Sequence, residues 1–295
     1  MLKQLSTPYI NDSPRDTNDM QVLVFTDLDG TLLDHHTYRY DDAQALIDDL
    51  RADNIPLIYS SSKTKAEIEP LRTATENQHP FIVENGSAVH VPKDYFGRKP
   101  HGTVLREDCW VKEFAEPRTH WLQILKHLQT QFDGCFESFS ELGAAGIAKV
   151  ADMPLEEAAL ANQRQYSEPL LWTGDTARRQ AFINELIRAG AFVQQGGRFL
   201  NINGNGDKGS ALRWLLSHYR DQQPTETFHT ISLGDSQNDA PMLEASDTAI
   251  IVRSPVKDPP RLQRQKSTQI SVSCGPLGWS TTLRATLQSL EASNG

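Results

Sequence analysis

The stretch from Val22 to Asp34, VLVFTDLDGTLLD, decides the fold. Its apolar run, Val22 to Phe25, has the character of a strand buried on both faces. The run ends in Asp27 and Asp29, followed by Gly30 and Thr31. Asp and Gly both serve turns, Asp by bonding its own backbone and Gly by tolerating positive φ, so a strand-closing turn is one reading. Two carboxylates two residues apart also repel each other unless a cation or a proton lies between them. The second reading is therefore an anionic site at the carboxyl end of a strand.

Working outward, Ala43, Leu46, Ile47 and Leu50 recur at helical spacing. IPLIYSSS is a second apolar run ending in hydroxyls, KTKAEIEPLRTATE is helical in character, and PFIVENGSAV reads as a third strand. This βαβαβ rhythm predicts an α/β fold, a Rossmann-like parallel sheet with helices on both faces. Ligands of such sheets sit outside the carboxyl ends of the strands, where the Asp pair, the serines and ENG fall. From about Pro92 the loops lengthen. THWLQILKHLQTQF and PLEEAALANQRQY read as helices, EPLLW as a strand, DTARRQAFINELIRAG as a helix, and AFVQQGGRFLNI as two strands joined at Gly196 and Gly197. The first rhythm then resumes with DKGSALRWLLSHY, FHTISLGDS, APMLEAS and TAIIV. The expected domains are a core of residues 21–91 and 201–295, an inserted α+β domain of 92–200, and a polar, poorly ordered extension of 1–20.

The 295 residues suffice for two domains. A hydrophobic share of 38% and a mean hydropathy of -0.50 describe a soluble globular protein. No apolar run approaches the ~20 residues that span a bilayer, so no membrane role is expected. The first residues lack the apolar core of a signal peptide, and Cys109, Cys135 and Cys274 form no CxxC pair. A cytoplasmic setting is expected. A formal charge of -9 argues against a nucleic-acid partner. The sequence leaves monomer and homodimer open.

Four signals stand in order at strand ends or helix starts: Asp27 with Asp29; Ser61 and Ser62, followed by Lys63; Lys208 in GDKGSAL; and Asp235 with Asp239 in GDSQNDAPML. Each alone is an ordinary loop sequence, but the chemistry explains the set. Carboxylates at strand ends suit Mg²⁺, which prefers carboxylate oxygens and retained waters. Asp27 becomes a nucleophile toward phosphorus, giving an aspartyl phosphate. Asp29, two residues on, can reach the leaving oxygen as acid and later act as base. Ser61, Ser62 and Lys208 would bind phosphoryl oxygens.

DLDGTLL, the strand-end serine, DKG and GDSQND resemble motifs I to IV of the haloacid dehalogenase superfamily, and the insert stands where its C2 caps lie. SSKTKAEI, FIVENGSAV, LANQRQYSEPLLW, GGRF, LGDSQNDAPMLE and GPLGW are similar to mannosyl-3-phosphoglycerate phosphatases, a C2B-capped, Mg²⁺-dependent family that forms the compatible solute mannosylglycerate. The resemblance implies Asp27 as nucleophile and Asp29 as acid–base residue. It also implies a metal held by Asp27, the backbone carbonyl of Asp29 and Asp235, with Asp239 nearby. Ser61 is the motif II hydroxyl, with Ser60 the alternative register. In the insert, Arg164, Glu168 and Arg198 lie in segments shared with that family, and a glycerate carboxylate invites an Arg fork. Adjacent His35 and His36 are expected to be loop residues near the site mouth.

Rival readings fare less well. GNGDKGS has Lys208 before Gly209, whereas a P-loop needs Lys after its second Gly and before Ser or Thr. A phospho-receiver domain would lack Asp29 as a partner and the insert. A non-catalytic sugar-phosphate-binding protein would not need every motif intact. Within the superfamily, glucosyl-3-phosphoglycerate, sucrose phosphate or another sugar phosphate is the alternative substrate.

Overall fold

The computed structural model describes residues 20–196 and 198–294. The expected extension over residues 1–20 thus lies almost wholly outside the described residues, as does Gly197 of the expected hairpin. The first strands are β1 (Gln21–Thr26), β2 (Leu57–Ser60), β3 (Phe81–Val83), β4 (Ala88–Pro92), β5 (Val104–Arg106) and β6 (Cys109–Glu113). Next come β7 (Phe136–Ser138), β8 (Glu168–Trp172), β9 (Phe192–Gly196) and β10 (Phe199–Asn203). The last are β11 (Phe228–Gly234), β12 (Thr248–Arg253) and β13 (Thr268–Cys274). Helices α1 (Asp41–Ala52), α2 (Lys65–Ala74), α3 (Arg118–Leu128), α4 (Phe139–Ala151) and α5 (Leu155–Ala161) are followed by α6 (Thr176–Arg188), α7 (Lys208–Gln222), α8 (Ala240–Ala245) and α9 (Gly275–Asn294).

A nine-stranded sheet runs in the order β13-β12-β11-β1-β2-β3-β4-β6-β5. It is parallel from β13 to β3 and antiparallel beyond. Side chains alternate across it as the apolar runs require. Val24, Leu57, Tyr59, Phe81 and Val83 pack on one face with α1 and with Trp279 and Leu283 of α9. Leu23, Phe25, Ile58 and Ile82 pack on the other with Leu212, Leu215 and Tyr219 of α7. Both faces of β1 are therefore dry, and its polar groups can only appear at its ends.

The second sheet is four-stranded and antiparallel, β7-β8-β10-β9, with its own core around Trp121, Leu125, Leu170, Phe182 and Leu200. The expected insert boundaries shift. β6 pairs onto β4 and β5 onto β6, so residues 104–113 belong to the large sheet, and β10 carries the small sheet to Asn203. After Pro92 a segment without a helix, residues 93–103, leads to β5 and β6 of the same sheet, so the sheet does not end there. Two helices also depart from expectation. α4 is opened by a capping box between Ser138 and Glu141, but its Gly- and Ala-rich sequence shows no apolar stripe. α5 stops at Ala161, and the NQRQY that should have prolonged it turns away to meet the large sheet.

Candidate active site

Asp27 follows β1, and its N–H bonds the Leu233 carbonyl on β11 at 2.9 Å. The chain then turns sharply. Gly30 has φ 87°, and a Cβ there would stand 2.6 Å from Asp235 Oδ2, so this glycine admits the neighbouring strand end. Beneath the turn, Trp279 Nε1 donates to Thr26 Oγ1 at 2.9 Å, and Thr26 Oγ1 donates to the Asp27 carbonyl at 2.7 Å. The late GPLGW segment thus props the first motif from below.

Asp27, Asp235 and Asp239 converge, each buried, with one oxygen of each within 4.8 Å of the others. Lys208, the first residue of α7, is fully buried beside them. Its Nζ lies 2.7 Å from Asp27 Oδ1 and 2.6 Å from Asp239 Oδ1. Burial alone would lower the Lys208 pKa, but the Asp239 and Asp27 carboxylates overcome it and hold the ammonium above its ordinary value. Asp239 also accepts the Asp235 and Ser236 N–H groups through Oδ2, at 3.1 and 3.0 Å. Burial, and after it the Asp27 charge, push the Asp239 carboxyl up, with Lys208 opposing. Lys257, from the loop after β12, reaches Asp235 Oδ2 and Oδ1 at 2.9 and 3.1 Å.

Asp29 faces elsewhere. Its Oδ2 lies 3.1 Å from Lys63 Nζ, which also approaches Glu67 at 3.8 Å, and its Oδ1 has no hydrogen-bond partner among the described residues. Burial raises the Asp29 pKa most, Lys63 lowers it, and Asp27 raises it further; the balance stays above the usual carboxylate range. The two motif I carboxylates are therefore in different environments: Asp27 joins the acidic cluster, and Asp29 is held by a lysine.

Ser61 is buried just beyond β2 and its Oγ accepts the Lys63 N–H at 3.2 Å, while Ser62 is half-buried. Ser60, the other register, ends β2 with its hydroxyl buried and without a hydrogen-bond partner among the described residues. His35 and His36 stand at the rim, His36 exposed, and a Cβ on Gly30 would be 3.7 Å from His35 Nδ1. The insert residues divide. Arg164 is nearly buried and meets the large sheet, its Nη1 3.3 Å from the Ser62 carbonyl and 2.9 Å from Ser167 Oγ. Glu168 is fully buried inside the insert, paired with Arg118 and accepting the Ser140 N–H at 2.8 Å. Arg198 is exposed and donates to the Val150 carbonyl of α4.

Lys63, named with the serine motif, and Trp279, within GPLGW, were given no role in the site, and Lys257 carries no local signal.

The donor set suits a hard divalent cation: three buried carboxylates with oxygens near one another, and lysines already drawn to them. A profile for haloacid dehalogenase-like hydrolases matches residues 24–99 and 163–257. A glucosyl-3-phosphoglycerate/mannosyl-3-phosphoglycerate phosphatase of Methanococcoides burtonii is 37% identical over 266 residues, covering 90% of this chain and 96% of its own. A mannosyl-3-phosphoglycerate phosphatase of Pyrococcus furiosus is 33% identical, covering 78% of this chain and 90% of its own. In structure, a haloalkanoate-superfamily phosphatase of Bacteroides thetaiotaomicron superposes with a TM-score of 0.62 at 17% identity, over 92% of this chain and 97% of that one. The inserted α+β block between the second and third motifs is the C2B-type cap of this fold. The chain belongs to the haloacid dehalogenase-like hydrolases and is an enzyme of the phosphoric monoester hydrolase class.

Proposed function

We propose that the chain is a Mg²⁺-dependent phosphatase that takes a glycosyl-3-phosphoglycerate, the mannosyl compound first, to the glycosylglycerate, a compatible solute. The glucosyl compound is the alternative, since relatives carry both names. The observation that carries the reading is the division of the Asp27 and Asp29 carboxylates between an acidic cluster with a buried lysine and a separate lysine. That division supports one nucleophile and one acid–base group. Bound by Asp27, Asp235 and the Asp29 carbonyl, with Asp239 beside them, the metal would offset charge on the phosphoryl oxygens.

Asp27 attacks phosphorus, forming an O–P bond as the bond to the glycerate oxygen breaks. Asp29, held protonated more readily than an ordinary carboxyl, gives its proton to that leaving oxygen. Water then attacks the phosphorus of the acyl phosphate, passing a proton to Asp29. Inorganic phosphate leaves and the Asp27 carboxylate returns. Lys208 lowers the cost of bringing an anionic substrate against Asp27, and Ser61 with Ser62, just beyond β2, is assigned to the phosphoryl oxygens. Arg164, beside Ser62 and with no hydrogen-bond partner for its Nε among the described residues, is the insert cation we assign to the glycerate carboxylate. Glu168 and Arg198 have other partners and are assigned no substrate contact.

The three cysteines are unpaired, which accords with a cytoplasmic enzyme, and no described helix is long and apolar enough to cross a membrane. The test is phosphate release from mannosyl- and glucosyl-3-phosphoglycerate and a panel of hexose phosphates, with Mg²⁺ and with EDTA. A glycosyl phosphoglycerate should lead the panel. A hexose phosphate turned over faster than either would overturn the assignment.

A further inference from the structure

Glu84 follows β3 and is buried, yet no step described above uses it. Its Oε1 accepts the Gln165 N–H at 2.8 Å, and its Oε2 accepts the Tyr166 and Ser167 N–H groups at 3.2 and 2.8 Å and the Ser167 hydroxyl at 2.5 Å. A carboxylate has about four lone-pair sites, and one donor on Oε1 with three crowded on Oε2 use most of that capacity. All of these donors belong to the segment between α5 and β8. That segment leaves the insert, touches the large sheet and returns. Tyr166 buries its ring in the large-sheet core and bonds Glu113 at 2.9 Å, and Thr64 Oγ1 bonds the Leu160 carbonyl at 3.0 Å.

The turn bearing Glu84 is itself tied to the phosphoryl site. Glu84, Asn85 and Gly86 all have positive φ, 47°, 60° and 91°, a run that persists only where its surroundings fix it. The Glu84 and Asn85 N–H groups bond the Lys63 and Ser61 carbonyls at 3.0 and 2.8 Å. Asn85 Oδ1 accepts from Asn238 at 3.0 Å, next to Asp239. A Cβ on Gly86 would stand 2.1 Å from the backbone of Asp207, the residue before Lys208. One turn thus holds the serine loop, the start of α7 and the segment from the insert.

We propose that Glu84 is a positioning residue: by gathering the amides of Gln165, Tyr166 and Ser167 it seats the insert's strap on the large sheet and sets Arg164 over the serine loop. The covalent crossings near residues 114–117 and 204–207 give the insert two tethers, and the strap's hydrogen bonds to Glu84 are a third, non-covalent one. The inference deepens the substrate reading above, because Arg164 matters only for a substrate with a group beyond the phosphate. A small aryl phosphate needs the core alone.

The test compares wild type with Glu84→Gln, which keeps the volume but turns an NH₂ toward backbone donors. Amide hydrogen exchange of residues 165–167 should quicken by about tenfold or more as the strap loosens. kcat/KM for mannosyl-3-phosphoglycerate should fall about 30- to 100-fold, mostly through KM, as expected for losing hydrogen bonds to a charged group. Hydrolysis of p-nitrophenyl phosphate should stay within about threefold, the range for changes away from the reacting groups. Glu84→Asp, with the charge but one methylene less, should fall between. Should Glu84→Gln not fold, Ser167→Ala removes the hydroxyl donor alone and should shift the same two readouts in the same direction. Unchanged amide protection, or equal losses on both substrates, overturns the proposal. A wild-type enzyme inactive on every glycosyl phosphoglycerate would instead overturn the substrate reading, and the exchange measurement would still decide the role of Glu84.

Discussion

The core site and the strap above it both bury carboxylates, and they satisfy them differently. Glu84 accepts four bonds from one strap, one on Oε1 and three on Oε2. Asp27 accepts Lys208 on one oxygen and, at 3.3 Å, the Thr31 hydroxyl on the other. Asp235 meets Lys257, an ammonium on a half-exposed flexible stem. A point charge on a flexible stem can move aside and leaves acceptor capacity for a metal or a phosphoryl group. A ring of backbone amides cannot move without unseating the segment. A carboxylate held wholly by the amides and hydroxyl of one segment, as Glu84 is, therefore serves architecture in this molecule, whereas Asp27 and Asp235, held by lysines, keep capacity for chemistry. Asp239, taking Lys208 and the Asp235 and Ser236 amides, joins the two.

The sharpest way to break that comparison is to remove the nucleophile. Asp27→Asn should lower phosphate release by about 10⁴-fold or more, as for loss of a covalent catalyst. Wild-type rates in that variant would refute the assignment. Metal withdrawal should be nearly as severe, with EDTA abolishing turnover and Mg²⁺ restoring it; full activity in metal-free buffer would mean that the acidic cluster needs no cation. Lys208→Met comes next. It leaves Asp27 and Asp239 buried without their shared cation, which should cost about 3–5 kcal/mol of stability in urea unfolding as well as turnover. Added Mg²⁺ should recover part of that stability, whereas Lys208→Arg, whose planar fork does not fit the same point contact, should not restore turnover. Stability unchanged in Lys208→Met would show that the carboxylates are not held by this lysine.

What the sequence disclosed follows the same divide. That Asp27 and Asp235 stand where β1 and β11 end, and that Lys208 and Asp239 stand at the helical turns meeting them, was legible because a buried parallel sheet admits polar groups only beyond its strands. Asp29 and Ser61 were read by the same rule. The parallel order was legible from the βαβ rhythm, while β5 and β6 were assigned to the insert, since a strand's sheet membership depends on its partner rather than its own residues. The strap was read as helix for a related reason. Nothing in NQRQY says that Glu84, some eighty residues earlier, will take its amides. The role of Trp279 beneath Asp27 was opaque, although GPLGW stood out, because its partner Thr26 lies at the other end of the chain, and Lys257 sits in a loop with no pattern around it.

Two insert residues give the smaller tests. Glu168 is paired with Arg118 and the Ser140 amide inside the insert. Glu168→Gln should destabilise the protein by about 1.5–3 kcal/mol, the range for hydrogen bonds to a charged group. The ratio of kcat/KM between mannosyl-3-phosphoglycerate and p-nitrophenyl phosphate should not move, because the loss is one of architecture; a selective loss on the glycosyl substrate would return Glu168 to the binding site.

Arg198 should show the smallest effect of all. Its position in GGRF and its guanidinium suit a carboxylate-binding role on sequence grounds, and truncating such a residue would normally cost binding of the natural substrate. In the fold, however, it is exposed, and its Nη1 reaches the Val150 carbonyl at the end of α4, a contact that ties the β9–β10 turn to a neighbouring helix. A neutral acceptor shared with water holds an arginine weakly, and the side chain has no buried partner to strand when it is cut back. Arg198→Ala should therefore change kcat/KM by less than about threefold, equally for mannosyl-3-phosphoglycerate and for p-nitrophenyl phosphate, as for an ordinary surface substitution. Arg164→Ala gives the contrast, because that guanidinium is nearly buried against the Ser62 carbonyl and should lose the glycosyl substrate selectively. If Arg198→Ala instead loses only the glycosyl substrate, the β9–β10 turn must swing onto the serine loop during turnover, and the carboxylate-binding role would pass from the strap to the hairpin.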